Sequence, residues 1–272
     1  MQRLSWFNTV SLTLGFAFLY IPMLILVIYS FNESKLVTVW AGFSTKWYGE
    51  LLRNEAFLNA AWVTLKVAVF SSTIATVLGT MAAYVLVRGG RFMGRTLFSG
   101  MVYAPLVMPE VITGLSLLLL FIGIGLDRGV LTIVLAHSTF SMCFVSVVVS
   151  SRLVTFDRSL EEAALDLGCS PMQAFRLVTL PIIAPAVISG WLLAFTLSLD
   201  DLVIASFTSG PSATTLPIKI FSAVRLGVSP EINALSTLMI AVVAIGVVTA
   251  SIVTKRGHVR AQREAQDAAQ ST

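Results

Sequence analysis

Residues 154–181 read VTFDRSLEEAALDLGCSPMQAFRLVTLP, a charged, amphipathic stretch between two long apolar runs. It is far longer than the handful of residues that a simple helix–helix connection needs. Ser159 with Glu162 spells an S-x-x-E capping box and predicts a helix beginning at Leu160. Gly168, which takes positive φ at little cost, predicts where that helix stops. Ser170, Pro171 and Gln173 spell a second box with proline at the first helical position, predicting a helix to about Val178. Leu180-Pro181 is then expected to turn the chain back. Neither helix is long enough to be stable alone in water. Their apolar positions are Leu160, Ala163, Ala164 and Leu167 in the first, and Met172, Phe175 and Val178 in the second. Spacing alone leaves two readings: a loop packed on the protein's own underside, or a docking element for a partner.

Outward from this stretch, the chain is too apolar for water. Of its 272 residues 56% are hydrophobic and only 12% charged, and the mean hydropathy is +0.88. A soluble domain carries about 25% charged residues, so the missing solvent is lipid. A spanning helix needs about 20 mostly apolar residues, and six stretches qualify: approximately 10–31, 60–87, 97–125, 129–151, 181–208 and 233–254. The expected fold is an all-α membrane protein, one transmembrane domain over 1–272. Segment 155–181 connects its fourth and fifth spans, and 255–272 forms a polar tail. The first run follows a basic start but is too long for a signal peptide and lacks a small-residue cleavage site, so it reads as an uncleaved span. Pro22, Pro105, Pro109, Pro181 and Pro185 lie in or at the starts of spans, where neighbouring helices must satisfy the freed backbone groups. Trp40, Trp47 and Tyr48 read as an interfacial aromatic belt.

The arginines set the orientation. Arg88, Arg91 and Arg95 crowd one loop without an acid, and 11 of the 18 basic residues fall on that side. Basic loops stay in the cytoplasm, so both termini and segment 155–181 are expected there. The net charge of +4 is small, which argues against a nucleic-acid partner. Cys143 and Cys169 fit neither a disulfide framework nor a metal spacing. There is no G-x-x-x-x-G-K-[ST] loop, no H-E-x-x-H and no G-x-S-x-G. No cofactor, metal or catalytic set is expected, and His137, within an apolar run, reads as a hydrogen-bonded core residue.

Acids inside spans are costly and mark pathways. Glu110 stands early in the third span, and Asp200-Asp201 near the outer end of the fifth. Adjacent helical residues point about 100° apart, so one aspartate is expected to line a pathway while the other bonds a neighbouring helix or loop. The alternative is interhelical glue plus an interfacial acid.

Glu162-Ala163-Ala164, Gly168, Val178 and Leu180-Pro181 resemble the motif E-A-A-x3-G-x9-I-x-L-P of permease subunits in binding-protein-dependent ABC importers, with Val178 at the isoleucine position. The resemblance implies the type I importer fold and makes residues 155–181 the coupling helices that dock on an ATPase. From Leu197 to Thr237 the chain also resembles the polyamine branch of these permeases. That likeness implies a polyamine substrate, putrescine ahead of spermidine, with Asp200, Asp201 and Glu110 as the cation site. It further implies a second related permease, two ATPase subunits and a periplasmic polyamine-binding protein as partners, in the bacterial inner membrane with lipid around the spans. The rival is an ion-coupled secondary transporter of an organic cation. It explains the acids but not the two-helix insertion, and the chain shows no inverted repeat.

Overall fold

Small residues decide which helix faces meet. A computed structural model describes residues 6–36, 39–227, 229–242 and 244–245, and these divide into two compact units, 56–221 and the flanking segments. The spine of the first unit is α3 (Glu55–Arg88), whose buried face carries Ala68, Ser71, Ser72, Ala75, Gly79, Ala82 and Ala83. Between lipid-facing helices, small side chains let backbones approach closely. Here α3 meets α6 (Val130–Thr155) and α9 (Leu180–Asp200) around Val145, Val149, Leu153 and Ile183. A Cβ on Gly79 would come within 2.6 Å of the Met142 carbonyl, and one on Gly190 within 3.1 Å of Val145. Val145 is thus clasped between a glycine of α3 and a glycine of α9. A second cluster joins Val67 of α3, Ile133 and Val134 of α6, and Ala205 of α10 (Val203–Thr208).

Three spans differ from their expected outlines. The run 97–125 is not one helix: α4 (Arg95–Val107) and α5 (Glu110–Gly123) are bent by 117°. Met108 is extended because the Pro109 ring disfavours helix in the residue before it. The fifth span is not a fresh helix after a turn at Leu180-Pro181. A short helix α8 (Pro171–Ala174) runs through a π-turn (Phe175–Thr179) into α9, making one apolar helical stretch, Pro171–Asp200. The wider turn opens the room a proline ring needs beside the preceding carbonyls. That stretch ends at Asp200 instead of 208, and the chain restarts as α10. Between α6 and α8 lies α7 (Ser159–Asp166).

In the other unit, α1 (Trp6–Tyr29) buries none of its residues. The loop after it folds around Asn32, whose amide donates to the Val39 carbonyl at 2.7 Å and accepts from Ala41 N–H at 2.9 Å. Trp47, in α2 (Lys46–Leu51), is buried and donates its indole N–H to the Asn32 carbonyl at 2.7 Å, and Tyr48 bonds Ser30 at 2.6 Å. Trp47 thus belongs to this loop's core, Tyr48 is half-buried beside it, and Trp40 stays exposed. A buried indole N–H needs an acceptor, and a main-chain carbonyl supplies it. The unit also holds the end of α11 (Leu216–Leu226) and α12 (Pro230–Val242).

Among the described residues four helices are long and apolar enough to cross a membrane, five if α4 and α5 form one span. The far part of the expected sixth span, the tail 255–272 and its basic residues lie outside the described residues.

Candidate functional site

The segment 154–181 builds its bends from local hydrogen bonds. Asp157, not Ser159, opens α7: its carboxylate accepts the Ser159 N–H at 3.0 Å. A charged acceptor two residues earlier displaces the weaker hydroxyl cap. That bond, aided by the Ser159 hydroxyl, holds the Asp157 carboxyl below the usual carboxylate range. Glu162 closes no box; it pairs with Arg158 at 3.1 Å on the exposed face. At the other end Gly168 takes φ +89°, its N–H reaching the Leu165 carbonyl at 2.9 Å while Cys169 N–H reaches that of Ala164 at 3.1 Å. These paired bonds are a Schellman stop. Ser170 and Gln173 form the reciprocal box around Pro171.

The two short elements bury Glu161, Ala164 and Ala174. Leu167 and Met172, flanking the Gly168 bend, are 87% and 73% exposed. Glu162, Ala163 and Pro181 are exposed too, whereas Val178 and Leu180 are half-buried. The capped, otherwise polar bend thus carries an exposed apolar tip.

At the far end of α9 the two aspartates part company, and not through helical geometry. Asp200 is the last helical residue and is exposed. Asp201 is extended at φ −64°, ψ 125°. Its carboxylate caps α10, accepting Ala205 N–H at 2.7 Å and Ile204 N–H at 3.4 Å, and stands 3.1 Å from His137 Nε2. His137 is buried, and its Nδ1 lies 2.7 Å from the Ser198 hydroxyl, which accepts from Ser71 at 3.1 Å. Ser71, Ser198, His137 and Asp201 thus form one line of side chains in which both ring nitrogens have a partner. Three spans, α3, α6 and α9, are thereby tied to the break. Sequence reading found His137 as a bonded core residue but missed its partners, 61 and 64 residues away.

Glu110 opens α5 and is exposed, a position where the helix dipole favours an acid. Among the described residues no ion pair or hydrogen bond joins it to Asp200 or Asp201. The link between these places is α10, whose Phe207 packs where Gly114 of α5 lacks a side chain; a Cβ there would lie 2.6 Å from the ring. No three His, Cys, Asp or Glu among the described residues are grouped to hold a metal ion.

A model of the family described as "Binding-protein-dependent transport system inner membrane component" matches residues 75–258. Over 249 residues the chain is 63% identical to the putrescine transport system permease protein PotI of Escherichia coli (strain K12), covering 89% of this chain and 88% of that one. It is 43% identical over 244 residues to the spermidine/putrescine transport system permease protein PotC of the same strain, covering 90% and 92%. A chain in the crystal structure of a bacterial ABC transporter involved in import of the acidic polysaccharide alginate matches with TM-score 0.70 at 16% identity, covering 91% of this chain and 94% of that one. That likeness shows a shared fold, the type I importer permease architecture. The chain belongs to the family of binding-protein-dependent transport system inner membrane components.

Proposed function

We propose that this chain is one permease half of an ATP-driven importer moving a small polyamine, putrescine ahead of spermidine, across the inner membrane. The observation that carries the substrate is the 63% identity with a putrescine permease along 89% of the chain, against 43% for a spermidine/putrescine permease. The chemistry agrees. An ammonium leaving water is stabilised where a carboxylate meets it, and Asp200 offers an exposed one at the end of a spanning helix. Glu110 is assigned as a second acid on the cation's path. Asp201, committed to His137 and α10, is assigned to hold the break that presents Asp200.

Residues 155–181 are assigned as the coupling element, in the cytoplasm with both termini, on the side that Arg88, Arg91 and Arg95 favour. Glu162, Ala163, Leu167 and Met172 face the ATPase, while Gly168 sets the bend. Ala164, Val178 and Leu180 support it from behind, and Pro181 opens the helix that follows. The working assembly adds a second related permease, two ATPase subunits and a periplasmic binding protein. Closure of the ATPases swings the paired spans between inward-open and outward-open states by rigid-body motion.

Uptake of labelled putrescine by the reconstituted assembly is expected to require ATP, and to be competed less well by spermidine than by putrescine. Uptake that persists without the ATPase, driven by an ion gradient, would replace this reading with the secondary transporter.

A further inference from the structure

Glu161 and Glu162 are neighbours with opposite fates, and the buried one plays no part in the E-A-A motif. Glu161 Oε2 stands 2.9 Å from Arg88 Nε, each side chain only 11% exposed. The Nε–H does not point along that line, so the contact is ionic instead of a hydrogen bond. The other carboxylate oxygen accepts the hydroxyl of Thr179, a fully buried residue of the π-turn, at 2.7 Å. Arg88 also donates through Nη2 to the Phe156 carbonyl at 3.2 Å, with its guanidinium 5.4 Å from the Phe156 ring. One turn earlier on α3, Tyr84 packs edge-on against Phe175 of the π-turn, ring centres 4.8 Å apart. The end of α3 and the turn entering α9 therefore meet on one carboxylate of α7, and Phe156, which closes α6, is bonded to the same Arg88.

An eight-residue helix does not hold itself together, and α7 buries only Glu161 and Ala164. Its anchor is thus a charge, and opening a buried pair strands an uncompensated ion, which is strongly unfavourable. Such a pair does not give way when the outer face is pushed. We propose that Arg88 and Glu161, closed by Thr179 and the Phe156 carbonyl, form the joint that carries movement of the coupling element into α3, α6 and α9 together. Both are positioning residues, and the proposal rests on the coupling reading of residues 155–181.

The measurement is putrescine moved per ATP hydrolysed by the complete transporter in vesicles, beside co-purification of the ATPase. Glu161→Gln keeps an acceptor for Thr179 but leaves Arg88 unpaired. It is expected to lower the ratio about tenfold, within the range by which residues of a coupled network alter linkage, while the ATPase still co-purifies. Arg88→Lys keeps the charge, loses the bond to Phe156 and should lower the ratio less. The exchange Arg88→Glu/Glu161→Arg should recover part of it. A merely structural pair would reduce the amount of assembled transporter and leave the ratio alone. An unchanged ratio in both single variants overturns the joint. If Glu161→Gln does not assemble, Arg88→Lys decides, and a wild-type ratio there overturns it equally. The underlying coupling reading fails separately, if Gly168→Val binds and stimulates the ATPase as wild type does.

Discussion

Two pairs of adjacent acids sit at opposite ends of the same helical run, Glu161-Glu162 before it and Asp200-Asp201 where it ends. In each, one carboxylate is bonded inward and the other is exposed: Glu161 to Arg88 and Thr179, Asp201 to His137 and α10. The pairs reach this division differently. On α7 a regular helix turns consecutive side chains to different faces. At 200–201 the helix ends, and the second acid becomes the cap of the next helix. Each doublet is therefore one anchor and one exposed acid, and among the described residues the exposed Glu162 meets only the exposed Arg158. The inward acid is identified by what surrounds it in space, and its position in the doublet does not reveal it.

The strongest way to break that comparison is to neutralise each aspartate in turn. Asn keeps the size of Asp and most of its hydrogen bonding while removing the charge. If Asp200 meets the ammonium, losing about 3 kcal/mol of a paired charge cuts uptake on the order of a hundredfold. Asp201→Asn should instead lower expression or thermal stability, because His137 and two backbone N–H groups lose an ionised acceptor. Binding of polyamine by the separate periplasmic protein should not change. Labelled-polyamine uptake, normalised to expression, decides: the reverse assignment inverts the comparison, and normal uptake by the double variant removes both acids from the cation site.

A smaller effect is expected at the bend between the short helices. Gly168 has φ +89° with open space where a Cβ would sit, so a substitution there suffers from backbone conformation and not from crowding. Gly168→Val forces a β-branched residue into the left-handed region at about 1–2 kcal/mol. Leu167 and Met172 would then be presented at the wrong angle. Polyamine-stimulated ATP hydrolysis should fall about tenfold if most of that cost appears in docking. Gly168→Ala should fall less, since only the β-branching is removed. Equal hydrolysis by wild type and Gly168→Val would show that the bend is not part of the contact.

What could be read from the sequence follows the reach of the interactions. The Schellman stop at Gly168 and the Ser170–Gln173 box close over six residues or fewer, and composition and spacing point to both. Ser159 misled because Asp157, two residues earlier, accepts the same backbone donor with a charge. Pro109 marks an interruption in the sequence, but its presence alone does not give the size of the bend, 117°. Pro181 looked like a turn and is absorbed by the π-turn before it. The partners of Asp201 and Glu161 were out of sight, since His137 and Arg88 lie on other helices. Trp47 looked interfacial because a bare sequence does not display the carbonyl of Asn32 waiting for its N–H. Arg88 signals orientation in the sequence, and in the structure the same guanidinium is also the partner of a buried carboxylate.

The smallest expected effect concerns an acid that is neither buried nor free. Asp157 is exposed yet bonded, and the Ser159 N–H holds its carboxyl below the usual carboxylate range. A lowered value means the folded segment favours the charged form. Its contribution to α7 is therefore complete above the ordinary carboxylate value near 3.9 and is lost as pH falls through the lower folded value. The negative charge also lies at the N-terminal end of α7, where the helix dipole favours it. Asp157→Asn retains an oxygen that accepts the same bond but does not titrate. Amide-exchange protection factors across Ser159–Asp166, corrected for intrinsic exchange, should drop in the wild type as pH is lowered from about 5 to below about 3. In Asp157→Asn the part of that drop due to Asp157 should be absent. Protection profiles that superimpose across this range would mean that Asp157 caps the helix without its charge mattering. The doublet comparison would then stand on its buried and exposed acids alone, with Asp157 adding nothing to it.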